Sequence, residues 1–299
     1  MKDKNSKMKQ VVSVIAFVVL VSVFTLAQKP PVQSPGGAPK PANPQTPSPT
    51  ATPPTMTTAT PATTPTATTA TAATTTAPMP SVKKLLDDYV KAIGGEAAVR
   101  RTSRRVSKGT IEIISMGAKG TVEIFQQAPN KIALVTTLPG LGVFKEGFDG
   151  TAGWAQDPFS GLRDKSGAEL ARTKREASFY RDVEMAKIYP KMAVAGIEKI
   201  NGRDAYVIEA APAEAGSTPD KFYFDKETAL IVRFDSMSVT PQGTIPVEAY
   251  LEDYKPVDSV KMPFTMRQSL AGSDIIIRLT EVKHDAPSDA AKFNKPTAP

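Results

Sequence analysis

From Lys108 to Pro158, apolar and polar positions alternate with period two. Ile111 and Ile113 alternate with Thr110 and Glu112, and Val122 and Ile124 with Thr121 and Glu123. Ile132 and Leu134 follow Pro129, and two further runs, Val143–Phe148 and Thr151–Gln156, close the stretch around Trp154, the only tryptophan. Gly117, Gly120, Pro139, Gly140, Gly142 and Gly150 cut the pattern. Such alternation predicts an antiparallel meander with one buried face. A second meander starts at Met192. Asn201-Gly202 lies between Ile197–Ile200 and Ala205–Ala210, a strong two-residue hairpin signal. Phe222–Asp225 and Leu230–Asp235 flank a tight turn, and Val247–Tyr254, Pro263–Leu270 and Ile275–Val282 complete about ten or eleven strands in all.

Two helical segments frame these meanders. Val82, Leu85, Leu86, Tyr89, Val90 and Ile93 form one continuous apolar stripe at helical spacing, with Ser81 as its cap and Gly94-Gly95 as its stop. A short turn over Glu96–Arg101 follows. Such a stripe needs a partner, and the apolar face of the sheet supplies one. Ala168–Tyr189 is rich in Ala, Glu, Lys and Arg, lacks glycine and proline, and ends at Pro190; it reads as one or two helices that interrupt the sheet at its midpoint. The fold class is therefore α+β.

The first 80 residues differ in kind. Lys2–Lys9 is basic, Val11–Phe24 is apolar, and Thr25-Leu26-Ala27 is a small-x-small site. Residues 1–27 read as a secretory signal peptide cleaved after Ala27, or as an uncleaved signal anchor, the apolar run of about 17 residues being at the short limit of a spanning helix. Either way the remainder is exported. Residues 28–80 are almost wholly Pro, Thr, Ala and Ser, without acid, aromatic, leucine or isoleucine. A segment of this kind cannot bury enough apolar area to offset its ordering entropy, so it reads as an extended linker, roughly 160 Å long if fully polyproline II. Residues 81–299 form the expected folded domain.

Charge and composition then remove whole classes of function. The net charge is +7, but the first 80 residues hold six lysines and one aspartate, leaving 31 basic against 29 acidic residues for the domain. That balance excludes a nucleic-acid partner, whose binder carries its positive charge on the domain surface. There is no cysteine, hence no disulfide, thiolate metal site or lipidated N-terminal cysteine. The single histidine, His284, reads as a solvated strand-end residue. Glu248 and Glu252 share strand parity and read as a solvated face. No metal-ligand spacing, phosphate loop or nucleophile elbow occurs, so neither a cofactor nor an enzyme is expected. Trp154 could stack a ligand or belong to the core. Met185, Met192, Met237, Met262 and Met266 suit an adaptable apolar cavity or simple gap filling.

The order of elements and a few local motifs carry a resemblance. Phe148-Asp149-Gly150 followed by Trp154 and Pro158, the pair Ala128-Pro129, the hairpin Phe222–Asp225 with Leu230–Phe234, and Asp289-Ala290-Ala291-Lys292-Phe293 are similar to segments of the periplasmic lipoprotein carrier and receptor superfamily, the LolA/LolB-like proteins. The resemblance spans roughly residues 82 to 295. It implies a curved antiparallel half-barrel, with the N-terminal helix and the central helical insertion as a lid. It also implies a periplasmic location, lipoprotein acyl chains or a lipid as ligand, and an inner-membrane release complex or an outer-membrane receptor as protein partners. In carriers of this kind an arginine precedes the proline and bonds across to the lid; here that position is Ala128.

Two readings follow. In the first, an apolar half-barrel holds acyl chains. Its lining would be one strand parity, Ile111, Ile113, Val122, Ile124, Ile132, Leu134, Tyr206, Ile208, Phe222, Phe224, Val232 and Phe234, with Trp154 beside it. Leu85, Leu86 and Tyr89 would face these residues from the lid. Each buried methylene of a ligand would contribute about 0.8 kcal/mol. In the second, the same residues fill a solid core, and the chain is a stalked envelope sensor or interaction module without a lipid. Strand parity alone does not separate the two.

Overall fold

The computed structural model describes residues 78–297 apart from 215–216, 241–242, 271–272 and 288. The expected signal segment and nearly all of the expected linker lie outside the described residues. Thirteen strands form one antiparallel sheet: β1 Arg104–Ile113, β2 Ala118–Gln127, β3 Lys131–Leu138, β4 Gly142–Phe148, β5 Gly153–Asp157, β6 Gly161–Asp164, β7 Lys191–Ile200, β8 Arg203–Ala211, β9 Asp220–Asp225, β10 Ile231–Thr240, β11 Gly243–Val257, β12 Val260–Leu270 and β13 Ser273–His284. The helices are α1 Val82–Ala92, α2 Glu96–Arg100, α3 Gly167–Glu176 and α4 Arg181–Ile188. The count exceeds the expected ten or eleven partly because β6 extends the first meander beyond Pro158, where the apolar alternation ends.

The sheet order is β6-β5-β4-β3-β2-β1-β13-β12-β11-β10-β9-β8-β7. Each meander pairs strand with next strand, and the first and last strands join them in the middle, Ile111 opposite Ile277 and Ile113 opposite Ile275. The free edges are therefore β6 and β7, and these are the strands that the central helical insertion connects. The insertion sits where the half-barrel fails to close, so the polypeptide that covers the gap is the one that crosses it.

One face of the sheet holds the main core. Ile111, Ile113, Val122, Leu134, Leu138, Phe144, Ala155, Val247, Ala249, Ile275 and Ile277 are all buried against one another there. The sheet's other half receives α1. Ser81 Oγ accepts from Lys84 N as the cap, and Leu85, Tyr89 and Ile93 are buried against Ile208, Phe222 and Phe224. The Tyr89 and Phe224 rings meet edge to face at 5.7 Å, as do Tyr189 and Phe222 at 5.3 Å. The end of α1 is fixed by Lys261 N donating to Ile93 O at 2.8 Å. Gly94 is obligatory at this crossing: its φ is +120° and a Cβ would lie 2.1 Å from Ser259 O.

The insertion is tied down at both ends. Arg163 grips Glu169 of α3 with two bonds of 2.8 Å, and Lys165 reaches Glu146 of β4 at 2.8 Å. Arg172 of α3 donates to Met237 O and Ser236 Oγ of β10. Between α3 and α4, Phe179 N donates to Pro129 O at 2.9 Å, and Tyr180 Oη donates to Thr102 O. The backbone next to Ala128 thus holds the α3–α4 connection against the sheet.

Candidate functional site

The register carries a polar row across one end of the same face that bears Ile111 and Ile113. Arg105 shares their strand parity, and it stands opposite Gln126 on β2 and His284 on β13. Gln126 in turn stands opposite Ile132 on β3. Above this row run α1, the α3–α4 connection and the start of α4. Between sheet and helices lies a cavity of about 200 Å³, lined by apolar residues including Tyr89, Ile124, Ile132, Phe179, Leu251, Tyr254, Met262 and Met266 and by polar residues including Arg105, Gln126, Glu176, Arg181, Asp182, Lys261 and His284. A second cavity of about 60 Å³ shares Tyr89, Arg181, Asp182, Leu251 and Met266 with it and is otherwise lined by Met185, Phe222, Ile231, Phe234 and Ala249. The pair has a charged end and an apolar end.

The charged end has an uneven pairing. Arg105 Nε donates to Gln126 Oε1 at 2.8 Å, one Nη lies 3.5 Å from Met262 Sδ, and the guanidinium stands 5.4 Å from the centre of the Phe179 ring. No carboxylate lies within 4.0 Å of it among the described residues. Loss of solvation lowers its pKa. Asp182 accepts from Tyr89 Oη at 3.0 Å, which joins α4 to α1 across the cavity. Burial of Arg181 works against its charge, but Asp182, Tyr189, Tyr89 and Glu176 outweigh it and raise the pKa. Glu176 pairs with Arg172 at 2.7 Å through one oxygen, while its Oε2 is buried without a hydrogen-bond partner. Burial wins over the Arg172 pairing and pushes Glu176 from the ordinary 4.5 to about 7.

His284 corrects an expectation. Its side chain is 4% exposed, not solvated, and Nδ1 lies 3.2 Å from Asp258 Oδ2. Burial, with Arg105 beside it, lowers its pKa. Residues after β13 turn away, but the ring shares the inward parity of Arg105.

The sixteen candidate ligand residues divide into five groups. Tyr89, Ile124 and Ile132 line the larger cavity, and Tyr89, Phe222 and Phe234 the smaller. Leu85, Ile208 and Phe224 lie in the core between α1 and the sheet, with Tyr206 packed beside them. Ile111, Ile113, Val122 and Leu134 belong to a buried cluster and line neither cavity. Leu86 is half-buried and faces outward into a groove of about 570 Å³ between α1 and α4. The last two, Trp154 and Val232, lie on the opposite face. Trp154 stands opposite Gly147, donates from Nε1 to Phe293 O at 2.9 Å, and is covered by the C-terminal turn. Val232 packs with Ile200, Ala205, Val207 and Tyr223. The expected shared parity of Val232 and Phe234 fails because a bulge between Ile231 and Arg233 inserts a residue in β10. Among the described residues, no group of three or more His, Asp or Glu is placed to hold a metal ion.

No protein-family model and no curated protein matches the chain. Solved structures do. A LolA superfamily protein from Nitrosomonas europaea superimposes with a TM-score of 0.50 at 13% identity, over 73% of this chain and 99% of that one. A putative outer membrane lipoprotein-sorting protein domain from Vibrio parahaemolyticus gives 0.46 at 15% identity, over 71% of this chain and 95% of that one. A DUF1329 family protein from Desulfovibrio piger gives 0.43 at 16% identity, over 71% and 97%. At these identities the likeness concerns fold. The open thirteen-stranded sheet, with helices across the gap between its edges, is a LolA/LolB-like fold.

Proposed function

We propose that the chain is an exported, non-catalytic binding protein that holds acyl chains of a lipoprotein or lipid between its half-barrel and its lid. In this reading residues 1–27 export the chain to the periplasm and residues 28–80 are a spacer ahead of the binding domain. A role in sorting lipoproteins to the outer membrane, with a release complex or a receptor as partner, would suit such a carrier.

The observation that carries the reading is the pair of adjoining cavities under α1 and α4. Their size sets a condition. A dry cavity of about 150 Å³ accepts benzene, whereas ligands of drug size occupy about 300–1,000 Å³. The present 200 Å³ and 60 Å³ hold part of one chain with the lid in place. Several acyl chains need α1 and α4 to move outward, and the methionines at 185, 262 and 266 suit a lining that repacks as they do.

The test uses the full chain and a neutral fluorescent acyl ester. Saturable binding of one probe per chain, with a melting temperature that climbs as probe is added, is the expected result, because a ligand of the native state stabilises it by mass action. Lipid recovered by organic extraction and identified by mass spectrometry would give the natural occupant. A protein that comes out free of lipid and leaves the probe unbound at every concentration is a solid-cored module, and the carrier reading is then wrong.

A further inference from the structure

Arg105 is the feature that a purely apolar acyl cavity does not explain. An arginine that lines a partly open cavity, has lost solvation and has no carboxylate within 4.0 Å among the described residues departs from the rule that charges withdrawn from water are paired. Every other inward-facing arginine nearby is compensated. Arg172 has Glu176, and Arg163 has Glu169. Arg181 has Asp182 as its strongest favourable neighbour. Arg105 feels Asp182 as well, but burial and the neighbouring Arg181 outweigh it, and the groups in direct contact are an amide, a thioether and a ring. A glutamine oxygen and the face of Phe179 favour a guanidinium without neutralising it. His284, on the neighbouring strand, adds a ring whose charged form is disfavoured.

The rest of the lining fits one kind of occupant. The larger cavity, which Arg105 lines, shares Tyr89, Arg181, Asp182, Leu251 and Met266 with the smaller one, whose further walls are Met185, Phe222, Ile231, Phe234 and Ala249. A charge socket at one end and an apolar pocket at the other describe a molecule with an acidic head and a hydrocarbon tail. Asp182 is engaged by the Tyr89 hydroxyl and lies with Arg181 where the two cavities share their lining, so its carboxylate already has a donor of its own.

We propose that the cavity is built for an anionic amphiphile, a single acyl chain ending in a carboxylate or a phosphate monoester, whose acidic oxygens pair with the Arg105 guanidinium while the tail enters the pocket of Phe222 and Phe234. This rests on the acyl-binding reading and narrows it. A guanidinium fits both acidic groups through paired N–H donors, and an amide-linked or esterified acyl chain offers it no charge.

The experiment compares three ligands of one chain length on the full chain by calorimetry: the fatty acid, its methyl ester and the monoacyl glycerol phosphate. The acid is expected to bind at least tenfold more tightly than the ester. A phosphate that binds more tightly than the acid assigns the head as a phosphate monoester, and the reverse assigns a carboxylate. In Arg105→Gln the preference for the acid over the ester should disappear, and Arg105→Lys should restore part of it. Equal affinity for acid and ester in the unaltered chain overturns the proposal and leaves the acyl-binding reading standing, and this comparison needs no variant to fold. Failure of all three ligands to bind removes the acyl-binding reading and the proposal with it.

Discussion

The Lys165 ammonium lies 2.8 Å from Glu146 Oε2, and neither side chain meets solvent to any extent, with exposures of 0% and 8%. The pair joins the segment entering α3 to β4, and Thr173 Oγ1 lies 3.4 Å from the same ammonium. Burial raises the Glu146 pKa even beside this cation. Removing the cation leaves a buried carboxylate alone, which typically costs about 3–5 kcal/mol. Lys165→Met should therefore lower the urea midpoint strongly, and Lys165→Met with Glu146→Leu should recover most of the loss. A double variant no better than the single one would show that the ammonium acts through other partners.

Glu176 predicts a dependence on pH. With a pKa of about 7 in the folded chain against an ordinary 4.5, it holds a proton between these values that the unfolded chain has released. Its contribution to stability is fully present below about pH 4.5 and declines as pH rises toward 7, by on the order of 3 kcal/mol at most. Glu176→Gln keeps a hydrogen-bonding group beside Arg172 and removes the titration. The difference in unfolding free energy between parent and variant should shift by this amount from pH 4.5 to 8, in favour of the variant at high pH. A flat difference would contradict the burial of this carboxyl.

Trp154 reports on the outer face. Its indole lies over Gly147, where a Cβ would come within 2.7 Å of the ring, and its N–H is held by the Phe293 carbonyl. Native emission should be blue-shifted and should move red on unfolding. Gly147→Ala forces the ring aside and should cost about 1–3 kcal/mol, the usual range for overpacking, with a red-shifted native spectrum. Emission unchanged by Gly147→Ala would mean that the indole does not rest on this glycine.

Much of this architecture was legible in the residues. Alternation placed both meanders, Asn201-Gly202 marked its hairpin, and the stripe of α1 with its Ser81 cap appears as expected. Periodicity is a local property, and these are local consequences of it. The polar end of the cavity was missed although its signal was present. Arg105 keeps the parity of Ile111 and Ile113, so the rule that selects the isoleucines also selects the arginine, but it lies three residues ahead of Lys108, where the apolar alternation begins, and an apolar pattern does not register a charge. Val232 failed for the opposite reason. A bulge changes parity without leaving a mark in the apolar pattern. Leu86 belongs to the stripe of α1, yet it faces the groove beside α4, because a helix of this apolar width meets two neighbours and the stripe does not say which.

The lid has a specific latch, and its removal gives the last prediction. Tyr89 Oη donates to Asp182 at 3.0 Å, so the helix that precedes the sheet and the insertion that crosses its gap are joined by one hydrogen bond over the cavity. Burial, with Asp182 beside it, holds the phenol well above its ordinary pKa, so it remains a donor throughout the physiological range. Tyr89→Phe keeps the ring against Phe224 and deletes only this bond. Hydrogen bonds to a charged group contribute about 1.5–3 kcal/mol, and part of that loss falls on the closed lid alone. If ligand leaves by separation of α1 from α4, each 1.4 kcal/mol lost from the closed state raises the exit rate about tenfold. Tyr89→Phe should thus speed release of a bound fluorescent acyl probe by roughly tenfold or more in stopped flow. Leu86→Ala serves as the comparison. It removes packing from the outer groove and leaves the latch intact, so release should change far less even where stability falls. Release from Tyr89→Phe at the parental rate, or an equal acceleration in both variants, would mean that ligand leaves by a path that does not part these two helices.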